Sequence, residues 1–407
     1  MKRFTLLFSA TLCFLSLAIF NTSYADISTT IPDFSAYNVP TAPLLDAKAY
    51  LLFDPHSGTI LAEKNANTLR EPASLTKLMT LYLVFQDLQS GQLTLNTMVP
   101  ISTTAWRAEG SRMFVKVGSK VSVQDLILGI TVQSGNDATI ALAEYVGGSL
   151  PAFVQMMNQT AGKLGMTSTH FDDPTGLHAK DHISTARDLA LLTQAIIQDY
   201  PEYYHFFGEK WFTWNKIRQP NRNRLLWQDA TVDGLKTGHT DEAGFCLISS
   251  GQQSDSRFVA VILGAKNDQL RTEYSQSLLN YAFRLFISQK ITAAKTALLN
   301  PSVRAGKVSE VAVGTANAVY ITIPRNAKKD LSATYSIDNT LKAPITQGQT
   351  VGTLTVSLKG QIVSTTPLVA LNEVPAASWF TRFFSALWHF FAHFFTANTL
   401  TGSVTIS

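Results

Sequence analysis

Cysteine is nearly absent from this chain: Cys13 and Cys246 are the only two in 407 residues. Charge is scarce as well, at 15% Asp, Glu, Lys and Arg, and the cations are not gathered into tracts. These shortages exclude several kinds of protein. Two cysteines, with no His-Glu-x-x-His motif, do not make a zinc site, so no metal is expected, and no cofactor. A net charge of +4 without basic tracts disfavours nucleic acid and allows only weak attraction to an anionic surface. There are no internal repeats and no long low-complexity segment. What remains is a chain of ordinary apolar content, long enough for two domains, one with a large core.

The first residues read as an export signal. Met1-Lys2-Arg3 is a positive start, residues 4–20 carry no charge, and Ser23-Tyr24-Ala25 is a small-x-small cleavage pattern. Residues 1–25 are therefore expected to be removed, leaving Asp26 first. Cleavage takes Cys13 with it, and Cys246 has no partner for an intramolecular disulfide. An exported chain without a disulfide staple suits a bacterial envelope protein with a large core.

Along the mature chain, apolar runs at 49–53 and 59–62 flank the turn residues Asp54-Pro55-His56-Ser57-Gly58, which predicts a hairpin. A buried helix follows, entered through Pro72 and stopped by Gly91. Loops are expected over 99–121, then helices near 123–131, 137–146, 151–164 and 184–198. Three strands, around 235–237, 245–249 and 258–263, read as an antiparallel meander, and a helix over 271–289 closes the domain. This is an α/β or α+β domain over residues 26–290, its first and last strands sharing one sheet. Trp211, Trp214 and Trp227 are read as core residues. Alternating apolar residues over 291–374 predict a small all-β domain with a turn at Lys359-Gly360. Pro375 is expected to start a helix over 375–397, with residues 398–407 as a tail. Ten aromatic or leucine side chains between Trp379 and Phe395 cover most of that helix, and Arg382, Ser385, His389 and His393 line its narrow polar face. That pattern fits a helix lying in a membrane interface.

The chemistry begins with Ser74-Leu75-Thr76-Lys77 at the start of the buried helix. Three residues apart on a helix, the hydroxyl and the amine share a face, the layout that deprotonates a serine for nucleophilic attack. Ser-x-x-Lys alone is a common tetrapeptide. Its weight comes from two later blocks: Ser134-Gly135-Asn136 in a turn between helices, and Lys236-Thr237-Gly238 on a predicted strand. All three stand in the order expected of penicillin-recognising serine enzymes.

On these blocks, together with Asn221-Arg222-Asn223 and Val232-Asp233-Gly234-Leu235-Lys236-Thr237-Gly238-His239-Thr240, the chain resembles the low-molecular-mass penicillin-binding proteins. These are serine-type D-alanyl-D-alanine carboxypeptidases, here of the penicillin-binding protein 5 type, and the likeness covers essentially the whole mature chain. The resemblance implies the penicillin-binding, serine β-lactamase-like transpeptidase fold: an antiparallel sheet with helices, a small all-β C-terminal domain and a terminal amphipathic helix. It implies peptidoglycan stem peptides as substrate, β-lactam antibiotics as covalent inhibitors, and a peripheral position on the periplasmic face of the inner membrane. Ser74 would be the nucleophile, Lys77 its base and Ser134 a proton relay. Asn136 would orient Lys77 and bond the substrate amide. Lys236 and Thr237 would hold the terminal carboxylate, Gly238 belongs to the same block, and the N–H groups of Ser74 and His239 would form the oxyanion hole. Arg222 and Arg271 could influence carboxylate binding or serve in structural ion pairs. His170 and Asp173 are expected to pack and hydrogen-bond within their loop.

An ordinary lysine has a pKa of about 10.4, so Lys77 must be lowered to act as a base, and burial and Lys236 are the expected causes. Three other functions fit parts of the pattern: a β-lactamase, a transpeptidase of the same fold, or a catalytically silent wall-binding protein. The first is disfavoured because the loop 171–176 offers aspartates and no Glu-x-x-Leu-Asn motif. The last is disfavoured by the intact Ser74, Lys77, Ser134, Asn136 and Lys236.

Overall fold

The computed structural model of the chain describes residues 27–28, 30–338, 340–378 and 399–404. The expected export signal lies outside the described residues, and so does nearly all of the expected membrane-surface helix.

The predicted hairpin is β1 (Ala49–Phe53) and β2 (Ile60–Lys64), with Asp54 Oδ1 accepting the N–H of His56 at 2.7 Å in the turn. The meander is β3 (Val232–Thr240), β4 (Gly244–Gln253) and β5 (Ser256–Ala265). Together they form one sheet of order β2-β1-β5-β4-β3. Every pairing is antiparallel, with Leu51 opposite Val261 and Lys236 opposite Ile248. The chain's early hairpin thus closes onto its late meander, as the pattern suggested.

The principal helices are, in order, α1 (Lys77–Ser90), α2 (Val123–Gln133), α3 (Asn136–Gly147), α4 (Leu150–Lys163), α5 (Ala186–Asp199) and α6 (Asp268–Leu285). Alternation in the strands decides which helices they meet. Leu51, Phe53, Val259, Val261 and Leu235 face a core shared with α1 to α5. Tyr50, Leu52, Ala260 and Ile262 face Leu278, Leu279, Ala282 and Phe283 of α6. With both faces covered, β1 is buried along its whole length. Helix α1 is apolar on most sides because it is central: every residue from Lys77 through Phe85 is buried, and Gly91 ends it in the left-handed region at φ 78°.

Several expectations need correction. The segment 99–121 is not all loop, since Met98–Pro100 pairs with Lys120–Ser122 and Thr103–Trp106 is a short helix. The closing helix stops at Leu285, and the chain continues as β6 (Phe286–Thr292), where Ile287, Ile291 and Thr292 favour extended backbone. Trp211 and Trp227 are not core residues. They are 42% and 43% exposed and meet edge to face at 4.9 Å. Trp211 sits on a two-stranded hairpin (Trp211–Trp214 with Ile217–Pro220) that has one wet face.

The second domain is β-rich as expected. Its strands are β7 (Val313–Gly314), β8 (Val319–Pro324), β9 (Leu331–Asp338), β10 (Thr350–Leu358), β11 (Gln361–Ala370) and β12 (Thr399–Val404). Five of them form a sheet of order β7-β11-β10-β9-β12, while β8 pairs with β6. Lys359 and Gly360, at φ 49° and 78°, make the turn between β10 and β11. Part of the expected tail is therefore a strand on the edge of this sheet. Pro375 does not start a helix: its carbonyl accepts from Lys307 N–H at 2.9 Å, and Ala377 N–H donates to Ala305 at 2.8 Å. Those backbone groups are already used by the neighbouring loop and are not free for a helical ladder. Among the described residues no helix is long and apolar enough to cross a membrane.

Candidate active site

Ser74 does not stand in the α-helix proper. Residues Ala73–Thr76 form a 3-10 turn that runs into α1 at Lys77. In a 3-10 turn residues three apart eclipse one another, which aligns serine and lysine more closely than α-helical spacing does. Lys77 Nζ donates to Ser74 Oγ at 2.9 Å and to the Thr175 carbonyl at 2.5 Å. Ser74 is half-buried, and the Lys77 side chain is buried completely.

The second block sits where α2 gives way to α3. Ser134 caps α2 in the left-handed region at φ 62°, ψ 34°, and its Oγ accepts a hydrogen bond from Lys236 Nζ at 2.9 Å. Asn136 opens α3. Its Nδ2 donates to the Glu109 carbonyl at 2.7 Å, while its Oδ1 is buried without a partner. No hydrogen bond joins Asn136 to Lys77. The expectation that Asn136 orients the lysine is met instead by the Thr175 carbonyl, and among the described residues the amide oxygen of Asn136 has no partner.

The third block is the edge strand β3. Lys236 and Thr237 are buried, and Lys236 Nζ also donates to the Thr237 carbonyl at 2.9 Å. Gly238 is where β3 comes close to the serine turn. A side chain there would stand 3.1 Å from the Pro72 carbonyl and 3.2 Å from the Ser74 nitrogen. The absent Cβ thus lets the backbone leading to His239 lie beside the Ser74 N–H. The His239 ring is exposed and rests on Phe245 at 4.0 Å.

The two arginines divide. Arg271 is a strut beneath β3: its guanidinium donates to the carbonyls of Gly238 at 2.9 Å and Cys246 at 3.0 Å, and it pairs with Asp268 at 2.5 Å. Among the described residues Arg222 makes no ion pair, and it lines a cavity of about 430 Å³ with Gln133, Arg224 and Arg271. The asparagines beside it tie its loop down, Asn221 to the Glu209 carbonyl at 2.9 Å and Asn223 to Gly234 at 3.0 Å.

Burial, with Arg222 helping, lowers the Lys77 pKa to about 7, against the opposing pull of Asp173 and Asp137. Lys236 and Lys77 repel each other, so the expected contribution of Lys236 stands, and Arg222 adds to it. Lys236 is itself held well below its ordinary range, first by burial and then by Lys77, Arg222 and Arg271. The pair therefore resists carrying two charges at once.

Two supporting residues escaped the sequence reading. Asp137 accepts the N–H groups of Met113, Phe114 and Val115 at 2.8 to 3.0 Å and so shapes the loop on one wall. His182 is buried and joined to Thr76 Oγ1 at 2.7 Å. Both look like ordinary polar residues in the sequence, and only their partners, 22 to 106 positions away, give them a role.

A half-buried serine, a completely buried lysine of lowered pKa and a glycine-permitted backbone contact are the layout of a serine hydrolase. Comparison with known proteins narrows the class. Residues 36–267 match the D-alanyl-D-alanine carboxypeptidase family, and residues 286–376 match the penicillin-binding protein 5 C-terminal domain. D-alanyl-D-alanine carboxypeptidase DacC of Escherichia coli K12 is 44% identical over 357 residues, 86% of this chain and 89% of that protein. Penicillin binding protein 5 of Haemophilus influenzae has a solved structure with a TM-score of 0.76 at 38% identity, covering 83% of this chain and 99% of that one. Penicillin-binding protein D2 of Listeria monocytogenes, solved in its ampicillin-bound form, has a TM-score of 0.55 at 30% identity, covering 60% of this chain and all of that one. The chain belongs to the D-alanyl-D-alanine carboxypeptidase family and is a serine-type D-Ala-D-Ala carboxypeptidase of the penicillin-binding protein 5 type.

Proposed function

We propose that Ser74 attacks the carbonyl between the two terminal D-alanines of a peptidoglycan stem peptide, with Lys77 as its base. The observation that carries this is the 2.9 Å contact from a buried, pKa-lowered Lys77 Nζ to Ser74 Oγ. Neutral Lys77 takes the hydroxyl proton as the Oγ–carbon bond forms. The oxyanion is received by the N–H groups of Ser74 and His239, brought near each other by Gly238. Collapse breaks the C–N bond, Ser134 passing its hydroxyl proton to the departing amine and taking in return the proton that Lys77 had gained, while Lys236 Nζ keeps its hydrogen bond to Ser134 Oγ, so that Lys77 is neutral again. Water then adds to the ester, and its proton passes through neutral Lys77 to Ser74 Oγ as the ester C–O bond breaks. Lys236, Thr237 and Arg222 receive the terminal carboxylate, and the unpartnered Asn136 Oδ1 accepts a substrate amide N–H.

A β-lactam mimics the acylation half of this reaction. The relative solved with ampicillin supports the same behaviour for this chain. The acyl-enzyme should persist, because Asp173 in the loop beside Lys77 is already engaged by three donors from Thr175 and Gly176. The export pattern at 1–25 and the aromatic amphipathic pattern at 379–395 support a site facing the periplasm, with the chain held at the inner-membrane surface.

Incubation with a stem pentapeptide and assay of free D-alanine tests the chemistry. Release by the wild type and none by Ser74→Ala is expected, and equal release by both would remove Ser74 from the mechanism. Truncation after residue 375 should free the mature protein from membranes with peptide cleavage intact, and continued membrane retention would count against the anchor.

A further inference from the structure

Lys77 needs more than burial to work as a base, since its nitrogen must also be aimed. Among the described residues, the hydrogen bonds that aim it are those to Ser74 and to the Thr175 carbonyl. That carbonyl belongs to the loop through Asp173, Pro174, Thr175 and Gly176, whose shape depends on one carboxylate. Asp173 Oδ1 accepts the Thr175 N–H at 2.6 Å, the Thr175 hydroxyl at 2.5 Å and the Gly176 N–H at 2.9 Å. Thr80 Oγ1 holds the Pro174 carbonyl at 2.9 Å, so the loop is fastened to α1 one turn beyond Lys77. Gly176, at φ +81°, lies so close to the serine turn that an added Cβ would stand 1.9 Å from the Ala73 carbonyl oxygen. The loop is therefore seated directly on the segment that carries Ser74.

The other oxygen of Asp173 lies 3.4 Å from His182 Nδ1. That ring nitrogen also accepts the Asp172 N–H at 3.2 Å, which leaves the proton of the neutral ring on Nε2, facing Thr76 Oγ1 at 2.7 Å. Burial lowers the His182 pKa and keeps the ring neutral. Asp173 Oδ2 and the unprotonated His182 Nδ1 therefore face each other without a hydrogen bond, and the ring stands between this carboxylate and Thr76, the residue immediately before Lys77.

We propose that Asp173 is a positioning residue for Lys77, fixing the Thr175 carbonyl on its nitrogen and facing its charge. The proposal rests on Lys77 being the base for Ser74. Asp173 does not touch the reacting atoms and acts through the loop and through its field. Around Lys77, Asp173 and Asp137 favour the charged form, Asp173 more strongly, while Arg222 and the nearby Lys236 favour the neutral form. Around Asp173 itself stand His182 and, beyond it, Asp172 and His170. Removing the Asp173 charge should therefore make Lys77 neutral at lower pH. Removing its oxygens should free the Thr175 carbonyl and misplace the amine.

The test uses the purified mature protein, a fluorescent penicillin and a stem pentapeptide, with acylation rates and D-alanine release measured across pH. Asp173→Ala should slow acylation by about 10- to 100-fold, as expected when a proton-transfer group is misplaced. Asp173→Asn keeps an oxygen for the three donors and offers an N–H to His182 Nδ1. It should recover most of that rate and move the acid limb of the profile down by about half a unit to one unit, the scale of one nearby charge. Wild-type rates and an unmoved limb in both variants would overturn the proposal. Equal losses in both, with the limb unmoved, would reduce Asp173 to general loop packing and overturn it too. Labelling of Ser74→Ala at the wild-type rate would instead defeat the nucleophile assignment on which the proposal rests.

Discussion

Lys77 Nζ stands 2.9 Å from Ser74 Oγ because the two residues are separated by one 3-10 turn, not by a stretch of α-helix. The distance is a consequence of local backbone geometry, whereas the charge on the amine is a consequence of everything packed around it.

That charge predicts a pH dependence. Lys77 must be neutral to accept the serine proton, and its pKa is lowered to about 7. Below that pH the ammonium form dominates and acylation should slow about tenfold per unit of pH. Above it the rate should level off, as far as Lys77 is concerned. A single-turnover profile of penicillin labelling checks this. A rate that keeps climbing towards the ordinary lysine range near pH 10 would show that burial does not lower Lys77.

Arg222 offers an opposite displacement to that of Asp173. Its positive charge helps keep Lys77 neutral, so Arg222→Ala should raise the lysine pKa and move the acid limb up by about half a unit. The same change removes a cation from the carboxylate side of the site and should raise KM for the peptide. An ester substrate without a terminal carboxylate separates the two effects, because only the shifted limb should persist with it.

Gly176→Ala should be among the more damaging single substitutions. The new Cβ would fall 1.9 Å from the Ala73 carbonyl at a backbone φ of +81°, so both the loop and the serine turn must move. A stability loss of about 2–4 kcal/mol in urea unfolding is expected, with slowed acylation. Wild-type stability would mean that the loop is not seated on the Ser74 turn in solution.

Much of the fold was legible because its signals are local. The Asp54 to Gly58 turn, the strands around Lys236, Cys246 and Val259, and the helix stop at Gly91 each follow from a few neighbouring residues. The errors fell where a local signal met a tertiary competitor. The run from Arg271 to Gln289 favours helix until Phe286, where pairing with β8 takes over. Pro375 is a good helix start, yet its carbonyl is taken by Lys307. Trp211 and Trp227 read as core by composition, but an exposed hairpin carries one of them out to the surface.

At the active site the same division holds. The sequence by itself determined the chemical inventory: Ser74 and Lys77 at a spacing that aligns them, Ser134 and Asn136 in a turn, and Lys236, Thr237 and Gly238 on a strand. Only the tertiary structure decided their state. Burial of Lys77 among α1, the Thr175 loop and β3 sets its proton affinity, and Arg222, Asp137 and Asp173 adjust it from separate parts of the chain. The reason is physical. Hydrogen-bond geometry across a short turn is a property of neighbouring residues, whereas desolvation and Coulomb interaction depend on three-dimensional distance, which spacing along the chain does not contain.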